Sequence, residues 1–154
     1  MDLLPGDKAP IFNLATDGGG EASLSRLKGR PFVLYFYPKD DTSGCTKEAL
    51  EFTKLSKKFE TLGIPVIGVS KDSVASHDRF KTKHKIKLTL ASDPETKTAQ
   101  SFGVWVEKSM YGRRYMGMER ATFLVDAAGK IRQVWRKVKV PGHAEAVLAA
   151  AKLL

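Results

Sequence analysis

Two nearly unbroken apolar runs, Pro31-Phe-Val-Leu-Tyr-Phe-Tyr37 and Ile64-Pro-Val-Ile-Gly-Val-Ser70, dominate the first half of the chain. Runs of this length without polar alternation predict strands buried on both faces. Between them Ala49, Phe52, Leu55, Phe59 and Leu62 recur at helical spacing, while Lys54, Lys57, Lys58 and Glu60 take the opposite face. Gly63 follows as a C′ residue. Strand, helix and strand of these lengths form a βαβ unit with parallel strands and a right-handed crossover.

The later pattern adds further elements. Asp72 or Ser73 is placed to cap a helix running to about Lys85. Leu88 to Ala91 predicts a short strand, and Asp93-Pro94-Glu95 a helix start with proline near N1. Ala121 to Val125 and Ile131 to Arg136 flank Asp126-Ala-Ala-Gly129, a hairpin signal. His143 to Leu154 is rich in Ala and Leu and predicts a C-terminal helix. Gly18-Gly-Gly20 predicts a surface turn, lacking the Gly-Lys-Ser/Thr ending of a phosphate loop. The order predicts one α/β domain over residues 1–154, a mixed central sheet flanked by helices in the thioredoxin-like manner.

Composition narrows the function classes. At 154 residues the chain buries a sizeable core without crosslinks. No stretch reaches the ~20 apolar residues of a membrane span. The start, Met1-Asp-Leu-Leu-Pro-Gly-Asp7, lacks the basic and apolar regions of a signal peptide. The one cysteine forms no internal disulfide, which fits a reducing compartment, so a cytoplasmic location is expected. The net charge of +9 invites a nucleic-acid reading. The basic residues are dispersed, however, with no zinc-finger or RNA-motif spacing, and solvated faces account for them better. His77, His84 and His143 are not at metal-ligand spacing, and no metal or cofactor is expected. Trp105 and Trp135 are assigned to core or subunit contact, and Phe36 and Phe52, candidates for lining the pocket, are explained by packing alone.

The chemistry concentrates on Cys45, where a short polar loop leads from the first apolar run into a helix. A thiol in a first helical turn meets unpaired N–H groups and the positive end of the helix dipole, both of which favour thiolate. The carboxyl end of a strand feeding a helix is the usual site position in an open α/β sheet. Arg113, Arg114 and Arg120 are alternative cationic partners, the first two expected in a loop.

These residues also carry a family likeness. Pro38-Lys-Asp-Asp-Thr42-Ser-Gly-Cys45 resembles the Pro-x-x-x-Thr-x-x-Cys signature of the peroxiredoxins, and Phe36 to Glu48 resembles the bacterioferritin comigratory protein, or peroxiredoxin Q, subfamily. Gly6 to Phe12, Gly103-Val-Trp105, Met110-Tyr-Gly112, Arg120 to Asp126 and Val138 to His143 extend the likeness over nearly the whole chain. The resemblance implies an AhpC/TSA-like peroxidase that reduces hydrogen peroxide and organic hydroperoxides through a cysteine sulfenic acid. It implies Cys45 as the peroxidatic cysteine, Thr42 hydrogen-bonding thiolate and peroxide, Pro38 shielding the pocket, and Arg120 stabilising both partners. Ser43, Gly44 and Glu48 join them as substrate-binding candidates.

Two departures stand out. Ser43 occupies a position that is often proline in this subfamily, which leaves the loop less rigid. The subfamily's resolving-cysteine positions fall on Leu50 and Lys81. Neither can form a disulfide, so an external thiol such as thioredoxin, glutaredoxin or glutathione is expected to reduce Cys45. A monomer or weak homodimer is expected, with no nucleic-acid or membrane partner. The competing classes are a thioredoxin-like binding or chaperone module and a basic nucleic-acid-associated protein.

Overall fold

The computed structural model describes residues 2–154. Its strands are β1 (Asn13–Thr16), β2 (Glu21–Ser23), β3 (Phe32–Phe36), β4 (Val66–Ser70), β5 (Thr89–Ser92), β6 (Trp105–Met110), β7 (Arg113–Met118), β8 (Ala121–Val125) and β9 (Ile131–Trp135). Its helices are α1 (Ser43–Lys54), α2 (Ser56–Thr61), α3 (Val74–His84), α4 (Lys97–Ser101) and α5 (His143–Ala151). One seven-stranded sheet runs in the order β2-β1-β5-β4-β3-β8-β9, and β6 with β7 forms a separate ribbon. β3, β4 and β5 pair in parallel, and the outer strands pair antiparallel. The mixed thioredoxin-like sheet is therefore as expected, with both apolar runs at its centre.

Side-chain alternation along β3 builds two cores. Phe32, Leu34 and Phe36 face a layer with Phe12, Phe102 and Phe123, closed by α4. Val33, Tyr35 and Tyr37 face the opposite layer, covered by α1, α2, α3 and α5 through Phe52, Phe59, Phe80 and Val147. Full burial of each such side chain contributes about 1.5–3 kcal/mol, which makes β3 a rigid base for the loop that follows it. Phe52 stacks on Tyr35 at 4.8 Å between ring centroids, so packing accounts for it, as it does for Phe36. Trp135 packs edge-on against His143 in the α1 and α5 layer.

Several boundaries differ from the sequence reading. The stripe from Ala49 to Leu62 is two helices, because the backbone leaves helical geometry at Leu55 (φ −98°, ψ 3°), and Leu62 is exposed. Asp93-Pro94-Glu95 forms a turn instead of a helical start. Thr96 is left-handed, and buried Asp93 accepts from the Thr98 and Ala99 amides at the head of α4. Ser73, not Asp72, caps α3 by accepting from the Ser76 amide. The C-terminal helix ends at Ala151. β5 begins at Thr89, one residue after the predicted start. The ribbon was not predicted: Arg113 and Arg114 lie on β7, not in a loop. Its turn is Tyr111-Gly112, both at positive φ, and most of its side chains are exposed, so no core-facing alternation marks it. Among the described residues no helix is long and apolar enough to cross a membrane.

Candidate active site

The site is assembled where β3 ends. Tyr37 continues the buried run, and Pro38 to Thr42 then turn into α1, with Asp41 held at a left-handed φ of 58°. Thr42 is the N-cap, its carbonyl accepting the first helical hydrogen bond from the Thr46 amide at 2.8 Å. Ser43, Gly44 and Cys45 thus occupy the first turn, where backbone N–H groups have no acceptor within the helix. Cys45 is the free cysteine and is only 2% exposed. The thiol expected at a helix start is there, on the buried face of α1 that it shares with Ala49 and Phe52 and that packs in the Tyr35 layer.

Arg120 completes the pair. It lies just ahead of β8, the antiparallel neighbour of β3. Its carbonyl accepts from the Val138 amide at 3.0 Å, and the preceding residue, Glu119, binds Arg136 at 2.6 and 3.0 Å. Both attachments fix the guanidinium's point of departure. Its Nη2 donates to Cys45 Sγ at 3.4 Å and its Nη1 to Glu48 Oε1 at 2.7 Å. Of the three arginines raised by the sequence, only Arg120 reaches the sulfur; Arg114 pairs with Glu107 on the ribbon instead. A methyl group on Gly44 would stand 3.2 Å from Arg120 Nη2, so glycine leaves room for the guanidinium to reach the sulfur.

Glu48, one turn along α1, is 1% exposed and its second oxygen is unpaired. Burial raises its carboxyl to about 7, although the Arg120 charge and hydrogen bond work the other way. Burial also works against the Arg120 charge, but Glu48 and Cys45 outweigh it and raise the arginine's pKa. Arg120 therefore stays charged, and Glu48 is the partner that loses its charge first. The sign for folding follows: stability from Glu48 is fully present below about pH 4.5 and is lost as pH rises through about 7. One cation is shared by Glu48 and Cys45, and the pH profile of the Cys45 reaction with an electrophile is expected to carry the Glu48 transition near pH 7. Glu48→Gln removes that transition, with rate changes within about tenfold, the equivalent of one pKa unit. A transition retained in the variant assigns it to another group.

The remaining predicted residues sit around this centre. Pro38 is half-buried at the base of the loop, and Ser43 is exposed. Thr42 is exposed, and its hydroxyl donates to the Lys39 carbonyl at 2.8 Å. Its proton is thus committed to the loop, and its oxygen lone pairs remain available. Leu50 is exposed on α1, and Lys81 on α3 pairs with Asp17 at 2.7 Å. Buried His143 contacts Thr122 at 2.7 Å, and burial lowers its pKa to about 4, with Arg120 adding to the effect. Sequence reasoning missed the buried Tyr37, Asp40 and His77 cluster behind the loop. Asp40 and His77 are 37 residues apart, and no local spacing joins them.

Known proteins resemble this chain over most of its length. The AhpC/TSA family model matches residues 5–134. Peroxiredoxin Bcp of Bacillus subtilis is 46% identical over 152 residues, spanning 99% of this chain and 97% of its own. The solved structure of Xanthomonas campestris peroxiredoxin Q has a TM-score of 0.88 at 46% identity, covering 92% of this chain and 90% of that one. The same organism's bacterioferritin comigratory protein has been described for its alkyl peroxide reduction activity. A cysteine-to-serine variant of Xylella fastidiosa PrxQ superposes with a TM-score of 0.93 at 41% identity, over 99% of this chain and 98% of that chain. The chain thus belongs to the AhpC/TSA family and, within it, to the peroxiredoxins of the Bcp or Q group.

Proposed function

We propose that the protein is a thiol-dependent peroxidase in which Cys45 attacks hydrogen peroxide or a small organic hydroperoxide and an external thiol completes the cycle. The observation that carries this reading is the buried Cys45 sulfur in the first turn of α1 with Arg120 Nη2 at 3.4 Å. The thiolate attacks one peroxide oxygen, the O–O bond breaks, and the leaving oxygen takes up a proton to become water or an alcohol. Negative charge grows on that oxygen in the transition state. Donors fixed beside it, the first-turn N–H groups and the Arg120 guanidinium, stabilise it more than they stabilise the ground state.

Thr42, its proton held by Lys39, presents an oxygen lone pair to the O–H of the incoming peroxide. Pro38 shapes the loop, and Ser43 and Gly44 contribute backbone amides. The product on Cys45 is a sulfenic acid, which a thiol converts to a mixed disulfide with release of water. A second thiol then frees Cys45. No other residue of this chain can take that part, because Cys45 is its one cysteine. Thioredoxin, a glutaredoxin or glutathione fits the external role.

Peroxide consumption coupled to dithiothreitol tests the activity, and its absence in the purified protein overturns the reading. The Thr42 role has its own test. Thr42→Val keeps the shape of an exposed side chain but removes the oxygen, and is expected to slow peroxide attack about 10²-fold, the scale of losing one fixed polar partner at the reacting centre. Wild-type rates in Thr42→Val remove Thr42 from the mechanism.

A further inference from the structure

The loop that delivers Cys45 is fastened from behind by a buried charge pair. Asp40, in the middle of the loop, is 7% exposed, and His77 on α3 is fully buried. His77 Nδ1 lies 2.7 Å from Asp40 Oδ2, and His77 Nε2 lies 2.9 Å from the Ala91 carbonyl on β5. A carbonyl only accepts, so Nε2 carries a proton. The Asp40 carboxylate also accepts from the Tyr37 hydroxyl at 2.6 Å and the Ser76 hydroxyl at 2.8 Å. With hydroxyl donors already on both Asp40 oxygens, the 2.7 Å contact is read as one in which Nδ1 donates, so that Nδ1 carries a proton as well. Tyr37 Oη stands 3.4 Å from Nδ1, but its proton is committed to Asp40.

We propose that His77 is a positioning residue for the peroxide reaction: a buried imidazolium on α3 that clamps Asp40 and so holds the Pro38–Thr42 loop where it presents Thr42 and Cys45. The proposal rests on the reading of Cys45 as the nucleophile. Other attachments make the clamp one joint of a larger seam. The Asp40 amide donates to Asp72 Oδ2 at 2.8 Å, and the Ser70 hydroxyl meets the same oxygen at 2.6 Å. Outside, Asp41 pairs with Lys83 and His84 of α3, each at 2.7 Å. Two successive loop residues are thus tied to one helix, the inner tie buried and the outer one exposed. Screening by solvent weakens the outer tie, and burial leaves the inner one as the discriminating contact.

The clamp is sensitive to pH. Burial disfavours the charged ring, but the hydrogen bond and charge of Asp40, the Ala91 carbonyl and the Asp72 charge outweigh it and raise the His77 pKa above 6.5. The clamp is therefore fully present below about pH 6.5 and is released as pH rises through the raised value. Release leaves the Asp40 carboxylate with its two hydroxyl donors but without its cationic partner, and peroxide attack slows on the alkaline side.

The test combines two readouts. In side-chain nitrogen NMR of the folded protein at neutral pH, both His77 ring nitrogens are expected to carry protons, and in Asp40→Asn one of them is expected to lose its proton. In rapid-mixing kinetics, His77→Gln is expected to lower kcat/KM for peroxide about 10- to 100-fold, the scale of misplacing reacting groups, and, compared in the Glu48→Gln background that lacks the Glu48 transition, to abolish the remaining alkaline decline. If His77→Gln does not fold, folded Asp40→Asn is expected to show the same loss of rate and of the alkaline decline. A neutral His77 ring at pH 7 in the wild type overturns the proposal. So does a folded variant with the wild-type rate and pH profile. Failure of the peroxidase reading is a separate result, since it appears as full activity in Cys45→Ser while the His77 NMR signature stands.

Discussion

Cys45→Ser is expected to reduce peroxide consumption to the uncatalysed background. A serine hydroxyl in the same first helical turn keeps the size and the hydrogen bonds of the side chain, but it is not ionised at neutral pH and is a poor nucleophile towards a peroxide oxygen. The N–H groups, Arg120 and Glu48 would remain, and with them any binding of the peroxide. The loss therefore falls on the chemical step. The fold is expected to be unaffected, because Cys45 contributes one small buried side chain to a layer dominated by Tyr35, Phe52 and Phe59. The variant separates the enzyme reading from a thioredoxin-like binding module, for which the cysteine is incidental, and its measure is peroxide disappearance with dithiothreitol as reductant.

The second large effect concerns Arg120. Its guanidinium donates from one nitrogen to Cys45 Sγ and from another to Glu48 Oε1. Arg120→Ala removes the cation beside the sulfur and is expected to slow peroxide attack about 10²- to 10³-fold, the scale for removing a fixed donor at a developing oxyanion. It also leaves Glu48 buried without its partner. Burial, the main cause of the raised Glu48 value, persists, and the carboxyl is expected to answer by taking up a proton at neutral pH. That response limits the stability cost to less than the roughly 3–5 kcal/mol of a stranded buried charge. Arg120→Lys distinguishes charge from shape. A lysine restores the cation but cannot span both partners as a planar fork does, so it recovers only part of the rate. Stopped-flow measurement of the peroxide step gives both values, and wild-type rates in Arg120→Ala would remove the residue from the mechanism.

The central architecture was legible in the sequence because its signals are strong and local. Pro31 to Tyr37 and Ile64 to Ser70 are buried on both faces, and a run with no polar alternation has few other uses. Gly63 and Asp126 to Gly129 mark sharp turns that the structure contains: Gly63 at φ 71° closes α2, and Gly129 at φ 81° closes the β8–β9 hairpin. The signal failed where burial is slight or where a tertiary contact overrides the local pattern. The β6–β7 ribbon exposes most of its residues, so its alternation reports no core. The head of α4 is displaced because Asp93 reaches past left-handed Thr96 to bind two amides, a geometry that the proline signal does not encode.

The site divides along the same line. Cys45 at a helix start is a local fact and was readable from spacing. The choice of Arg120 over Arg113 and Arg114 was open on spacing alone and came from resemblance. The structure adds a reason, since pairing β8 with β3 brings Arg120 to the end of the sheet from which Cys45 departs. The Glu48 carboxyl near 7 and the seam between Asp40 and His77 depend on burial and on contacts between distant segments. Neither leaves a pattern in a single sequence.

The most direct test is the mass of the protein after one equivalent of hydrogen peroxide, without thiol and in the presence of dimedone. The expected result is a single dimedone adduct on Cys45, no adduct in Cys45→Ser, and renewed peroxide consumption once a thiol is added. An unmodified Cys45 after the peroxide has been consumed, or equal consumption by Cys45→Ser, would contradict the account.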